Sequence, residues 1–168
     1  MANTDFPMGF EPVYMQAGGE LQDVLHSIAD ANDAIYPGDI VELHTDGYAR
    51  ACGSATPTRI LGIANEYKAA SAGGTIAYTP ACANLIMRAQ VDSADVDVQG
   101  DLELSYAINY TTGDTTTLRS KMEIAGATSH ATDYAVFILR VADSRNSVAN
   151  ALGEFVTVEC KFNPSVTF

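Results

Sequence analysis

Tryptophan is absent from this chain, and its lysines and arginines number nine against twenty-one acidic residues. The formal net charge is −12, and the basic residues lie far apart except for Arg119 and Lys121, so a phosphate backbone would be repelled over most of the surface. Nucleic acid is therefore excluded as an expected partner. Cysteine is scarce as well. Cys52, Cys82 and Cys160 are odd in number, widely spaced and without a Cys-x-x-Cys pair, which argues against a disulfide framework. They read as small buried hydrophobes in a protein made in a reducing cytoplasm. Long hydrophobic runs are missing too. The longest, Tyr134 to Leu139, ends at Arg140 and is too short to cross a bilayer. No basic region followed by an apolar stretch opens the chain, so neither a signal peptide nor a membrane partner is expected.

Signatures of chemistry are equally thin. No Gly-x-Ser-x-Gly elbow, Ser-x-x-Lys, Gly-x-Gly-x-x-Gly or Walker-type loop occurs. His26, His44 and His130 are not within ligand spacing of one another or of a cysteine. Asp95, Asp97 and Asp101, preceded by Asp92, match the first half of a calcium loop. Tyr106 stands where the bidentate glutamate belongs, so the alternation reads first as a β ribbon and second as a weak surface cation site. Glu66, Glu103, Glu123, Glu154 and Glu159 show no identifiable acid–base pairing. The expectation is a non-enzyme with no metal and no cofactor.

What is present is a globular composition, 47% hydrophobic and 18% charged, in 168 residues: one domain with a core that needs no staple. Residues 1–19 read as an extended N-terminal arm. Pro7, Gly9, Pro12 and Gly18-Gly19 deny it a helix, while Phe6, Phe10, Val13 and Tyr14 are apolar handles that want a surface, on their own domain or a neighbour's. Residues 20–168 read as the β-rich body. Leu21, Val24, Leu25 and Ile28 have helical spacing, but the segment leads into a turn and is assigned as a strand ending near Ala29.

From Pro37-Gly38-Asp39 onward the pattern is β. Ile40 to Leu43 runs through a Thr45-Asp46-Gly47 hairpin into Tyr48 to Cys52, and Ile60 to Ala64 carries a Gly62 that signals a bulge or close backbone approach. Thr75 to Tyr78, Leu85 to Val91, Asp101 to Ile108, Ala135 to Leu139 (expected to be central) and Glu154 to Phe162 follow. Some nine or ten short strands between turns predict an all-β barrel or sandwich.

Several of these elements together resemble the small decoration, or cement, proteins of tailed-bacteriophage heads. The likeness rests on Met1-Ala-Asn-Thr-Asp5 with Gly9-Phe10 and Pro12-Val13, Gly38-Asp39-Ile-Val41 and Ile60-Leu-Gly-Ile63. It continues in Gly113-Asp-Thr-Thr-Thr117 with Arg119-Ser120, and in Val156-Thr-Val158 with Phe162-Asn163. Leu118, where relatives often show glycine, and the Cys160-to-Pro164 tail depart from the pattern. The resemblance implies a homotrimer on the outer face of a virion, assembled in the host cytoplasm, whose partner is the phage major capsid protein. A tail or baseplate structural protein is the alternative. A carbohydrate-binding module, with Tyr106 and Tyr110 as the platform, is a more distant one.

Overall fold

A computed structural model describes residues 5–21, 24–53, 57, 59–71, 73–92, 102–127, 134–142 and 152–164. The fold is all-β, two large antiparallel sheets packed as a sandwich rather than a closed barrel. Its strands in chain order are β1 (Glu11–Met15), β2 (Leu25–Ile28), β3 (Ile40–Leu43), β4 (Ala49–Ala51), β5 (Ile60–Ala64) and β6 (Thr75–Pro80). There follow β7 (Leu85–Gln90), β8 (Ser105–Tyr106), β9 (Ile108–Asn109), β10 (Glu123–Ile124), β11 (Val136–Val141) and β12 (Thr157–Phe162). One sheet has the order β1-β7-β12-β11-β8 and the other β2-β6-β5-β3-β4, with β9 and β10 forming a separate pair.

Alternation in β12 explains its place at the centre of the first sheet. Val158, Cys160 and Phe162 enter the main core, while Glu159 turns to the opposite face. The apolar run of β11 is interior as well, as expected, with β12 on one side and β8 on the other. The second sheet buries both of its faces. Ile40, Ile60 and Ile63 face the first sheet, whereas Val41, Ala49, Ala64 and Ile76 close around a smaller cluster with Ala29 and Ile35. Its two ends approach each other where Ala29 bridges Ala49 and the Asp30 amide donates to the Ala49 carbonyl at 2.9 Å.

Gly62 carries both features read from the sequence. The β3–β5 register skips Leu61, and a Cβ on Gly62 would fall 2.0 Å from the Thr79 carbonyl oxygen. The long alternating strand expected over 101–108 is shorter. Leu102 and Glu103 form a turn, with Glu103 at φ +63°, and only Ser105–Tyr106 and Ile108–Asn109 pair. Residues 25–28 are extended, so the helical spacing before Ala29 marks no helix. All three cysteines are free thiols, two of them buried.

Candidate interaction surface

The N-terminal segment is divided by its own chemistry. Gly9 adopts φ +73°, and a Cβ there would lie 2.5 Å from the Gly38 carbonyl oxygen and 2.5 Å from Ser120 Cβ; only glycine fits. Directly after it, the Phe10 amide donates to the Gly38 carbonyl at 2.8 Å and the ring enters the main core, 1% exposed. Residues 11–15 then pair with β7 as the edge strand of the first sheet. The arm expected over residues 1–19 is thus part of the body from residue 9 to Met15. Phe10, expected to contact a capsid or another subunit, is a core residue instead, because the turn at Gly9 points its ring inward. Val13 is half-buried in β1.

Tyr14 remains 39% exposed, yet its hydroxyl is engaged, donating to Glu159 Oε2 at 3.1 Å. Glu159 is the hub of a ladder across four strands: Arg140 Nε reaches Oε2 at 2.9 Å and Arg88 Nη2 reaches Oε1 at 3.3 Å. Burial raises the Glu159 pKa, but hydrogen bonds from Arg140 and Tyr14, with the Arg140 charge, outweigh it and hold the carboxyl below its ordinary value. This ladder gives the buried Glu159 carboxylate two cationic partners on the outer face of the sheet.

Upstream of Gly9 the chain turns outward. Phe6 is 67% exposed, its amide held by Gln90 Oε1 at 2.9 Å, and Met8 is exposed with its sulfur 3.3 Å from Arg119 Nη1. Between this segment and residues 111–123 lies a cleft of about 490 Å³. On the wall formed by residues 111–123, Lys121 lies 3.8 Å from Asp114. Glu123 also lines the cleft, and burial, reinforced by Asp5 and Asp92, pushes its carboxyl up to about 7.

Beneath the cleft the resembling motifs converge. Asp39 is fully buried under the turn that Gly9 covers, its Oδ2 accepting the Tyr36 amide at 2.8 Å. Burial raises the Asp39 carboxyl to about 6, with the Ser120 hydroxyl and the Tyr36 amide opposing. Ser120 Oγ in turn accepts the Met122 amide at 3.0 Å, and the Ser120 amide donates to the Pro37 carbonyl at 3.2 Å. Gly9-Phe10, Gly38-Asp39 and Arg119-Ser120 are therefore one packing node.

The exposed apolar residues are unevenly placed. Of eleven large hydrophobics exposed among the described residues, seven lie between residues 6 and 28: Phe6, Met8, Tyr14, Leu21, Val24, Leu25 and Ile28. Sequence reasoning singled out Phe6 and Tyr14 here but missed Met8 and the exposure of Leu21, Val24, Leu25 and Ile28. Tyr106, one half of the expected sugar platform, is buried; Tyr110 is exposed. The second tyrosine group is Tyr36 with Tyr67, ring centroids 5.1 Å apart. The Asp95, Asp97 and Asp101 cation site lies outside the described residues. Among the described residues no group of three acidic, histidine or cysteine side chains has the geometry to hold a metal.

The chain matches no protein-family model, and no curated protein matches it.

Proposed function

We propose that this protein is a structural, non-catalytic virion component that binds the outer surface of a phage head and stabilises the capsid lattice. Its partners in this reading are the major capsid protein and two further copies of itself. One observation carries the proposal: the exposed apolar side chains gather in residues 6–28 of a chain whose net charge is otherwise strongly acidic. Large apolar side chains left in solvent along one segment are what a partner surface would cover. The Gly9–Phe10 anchor supports it further, because it fixes where the chain carrying Phe6 and Met8 emerges and so lowers the ordering cost of docking.

Three such segments on one trimer would act by avidity, each release being intramolecular while the others hold. Selective binding of an expanded lattice would stabilise that lattice by mass action. Electron microscopy of purified heads from the phage that encodes the chain tests the proposal. An ordered outer coat is the expected result. Bare heads, with the protein in a few copies at the tail, would replace this reading by a tail or baseplate role.

A second reading rests on Tyr67 and Tyr110, both exposed near the buried Tyr36 ring. Exposed aromatic faces are what a sugar ring stacks on. A glycan array decides this reading: binding lost in Tyr67→Ala and Tyr110→Ala supports it, and an empty array ends it.

A further inference from the structure

Glu123 is set apart by its place in β10. Met122 and Ile124 on either side are buried in the main core, which turns Glu123 to the opposite face, onto the wall of the cleft that residues 5–8 border. Its Oε1 is buried without a hydrogen-bond partner. Two carboxylates act on it: Asp5, which lines the same cleft from the N-terminal segment, and Asp92, just beyond β7. Asp92 is held in place, its Oδ1 accepting the Gly126 amide at 3.1 Å and its Oδ2 the Asn109 side-chain amide at 3.3 Å. The remaining charged groups lining the cleft are Asp114, Lys121 and Arg119. Both cations are in other contacts, Lys121 3.8 Å from Asp114 and Arg119 Nη1 3.3 Å from the Met8 sulfur. Asp39 lies deeper, at the node under Gly9 and Ser120.

The segment that carries Asp5 is lightly held. It hinges where Gly9 is fixed against Gly38 and Ser120. Upstream of that point the Phe6 amide donates to Gln90 Oε1 at 2.9 Å, while the Phe6 ring stays mostly in solvent. A segment that buries so little detaches without unfolding the sheets behind it. Detachment carries Asp5 away from Glu123 and opens Oε1 to water, which solvates a carboxylate far better than a buried wall does.

We infer that residues 5–8 are a proton-controlled strap, docked over the cleft while Glu123 carries a proton and released when Glu123 is ionised. A neutral Glu123 meets Asp5 and Asp92 without repulsion. An ionised one sets three carboxylates together while both cations of the cleft are in other contacts. Burial and the two acidic neighbours raise the docked carboxyl to about 7, and release returns it towards its ordinary 4.5. Docking is therefore fullest below that ordinary value, weakens by up to about tenfold per pH unit above it, and levels off past about 7. Phe6 and Met8 ride on the strap, so a proton decides whether they are presented at a fixed place. The device belongs to the chain alone and is independent of the capsid reading.

Nuclear magnetic resonance of the full nitrogen-labelled chain, from pH 4.5 to above 7, tests the inference. The Phe6 amide should keep its hydrogen-bonded shift and a rigid-backbone relaxation signal in acid and lose both as pH rises, while the amides of β12 stay unchanged. Glu123→Gln has the same size and no charge to gain, and should keep the segment rigid throughout. Asp5→Asn removes one repelling carboxylate and should raise the docking constant above pH 7 by about threefold, the weight of one solvent-facing charge pair. A parent segment equally rigid or equally mobile at both ends of the range would overturn the inference. So would a transition that survives in Glu123→Gln, or one that disappears in Asp39→Asn, either of which moves the control to the node under Gly9. Should Glu123→Gln fail to fold, Asp5→Asn decides alone: a raised docking constant supports the strap and an unchanged one ends it.

Discussion

Gly9 lies against Ser120 so closely that a β carbon on the glycine would fall 2.5 Å from the serine's own. The contact ties the N-terminal segment to the loop that ends in Ser120, and both to the carbonyl of Gly38. Gly9→Ala adds left-handed backbone strain and a steric overlap at one stroke, and should destabilise by at least about 2 kcal/mol. Urea denaturation measures it; a midpoint within error of the parent would mean that the node relaxes freely.

Phe6 and Phe10 sit four residues apart and should answer differently to the same change. Phe10→Ala empties a core site and should cost about 3–5 kcal/mol. Phe6→Ala removes an exposed ring and should shift stability by no more than about 0.5 kcal/mol, while lowering the amount of protein that sediments with heads. Deleting residues 1–8 is the matching truncation. Deleting residues 1–15 removes β1 and Phe10 and should unfold the first sheet.

Stability should respond to pH through two buried carboxyls. Asp39 is raised from 3.8 to about 6, so between those values the folded state holds a proton that the unfolded state has released. Its contribution is present in acid and lost as pH rises through about 6. Glu123, raised from 4.5 to about 7, acts in the same direction. Glu159 acts oppositely: its carboxyl is lowered, so its contribution is present above its ordinary value and lost as pH falls through the lowered one. Asp39→Asn keeps an acceptor for the Tyr36 amide and removes the charge. It should flatten the decline, with an upper bound of about 3 kcal/mol on the gain at neutral pH. An unchanged slope in urea midpoints across that range would rule out Asp39 as its source.

Leu118 occupies φ +53°, a conformation that favours glycine. It ends a turn in which Asp114 Oδ1 accepts the amides of Thr116 at 2.7 Å and Thr117 at 3.0 Å. Leu118→Gly relieves the strain and gives up an exposed side chain. It should therefore stabilise by about 0.5–1 kcal/mol, visible as a small rise in melting temperature.

Local patterns in the sequence reported the strands faithfully where turn chemistry bounded them. Pro37-Gly38-Asp39, Thr45-Asp46-Gly47 and Gly62 all mark real features, because proline and glycine act through backbone geometry that needs no partner. The apolar run of β11 likewise marked an interior strand. The ladder of Tyr14, Arg88, Arg140 and Glu159 was not legible, because it is drawn from four strands and no window of sequence contains it. The same holds for the candidate surface. Phe6 and Phe10 are equally apolar, and only the turn at Gly9, set by contacts with Gly38 and Ser120, sends one outward and the other in.

The two sheets differ in how their strands are spread along the chain, and this orders events during translation. β2 to β6 follow one another without interruption, so the second sheet has all its strands once Pro80 has cleared the ribosome. The first sheet cannot close then. β7 has β1 on one side, but its other neighbour, β12, is made after every other strand of that sheet. Until it arrives, the inner faces of β7 and β11 have no strand between them, and Leu85, Met87, Val136 and Ile138 await the side chains that complete their core. A nascent chain stalled before Thr157 would hold a finished sheet beside an apolar one still open, the species a chaperone would be expected to capture.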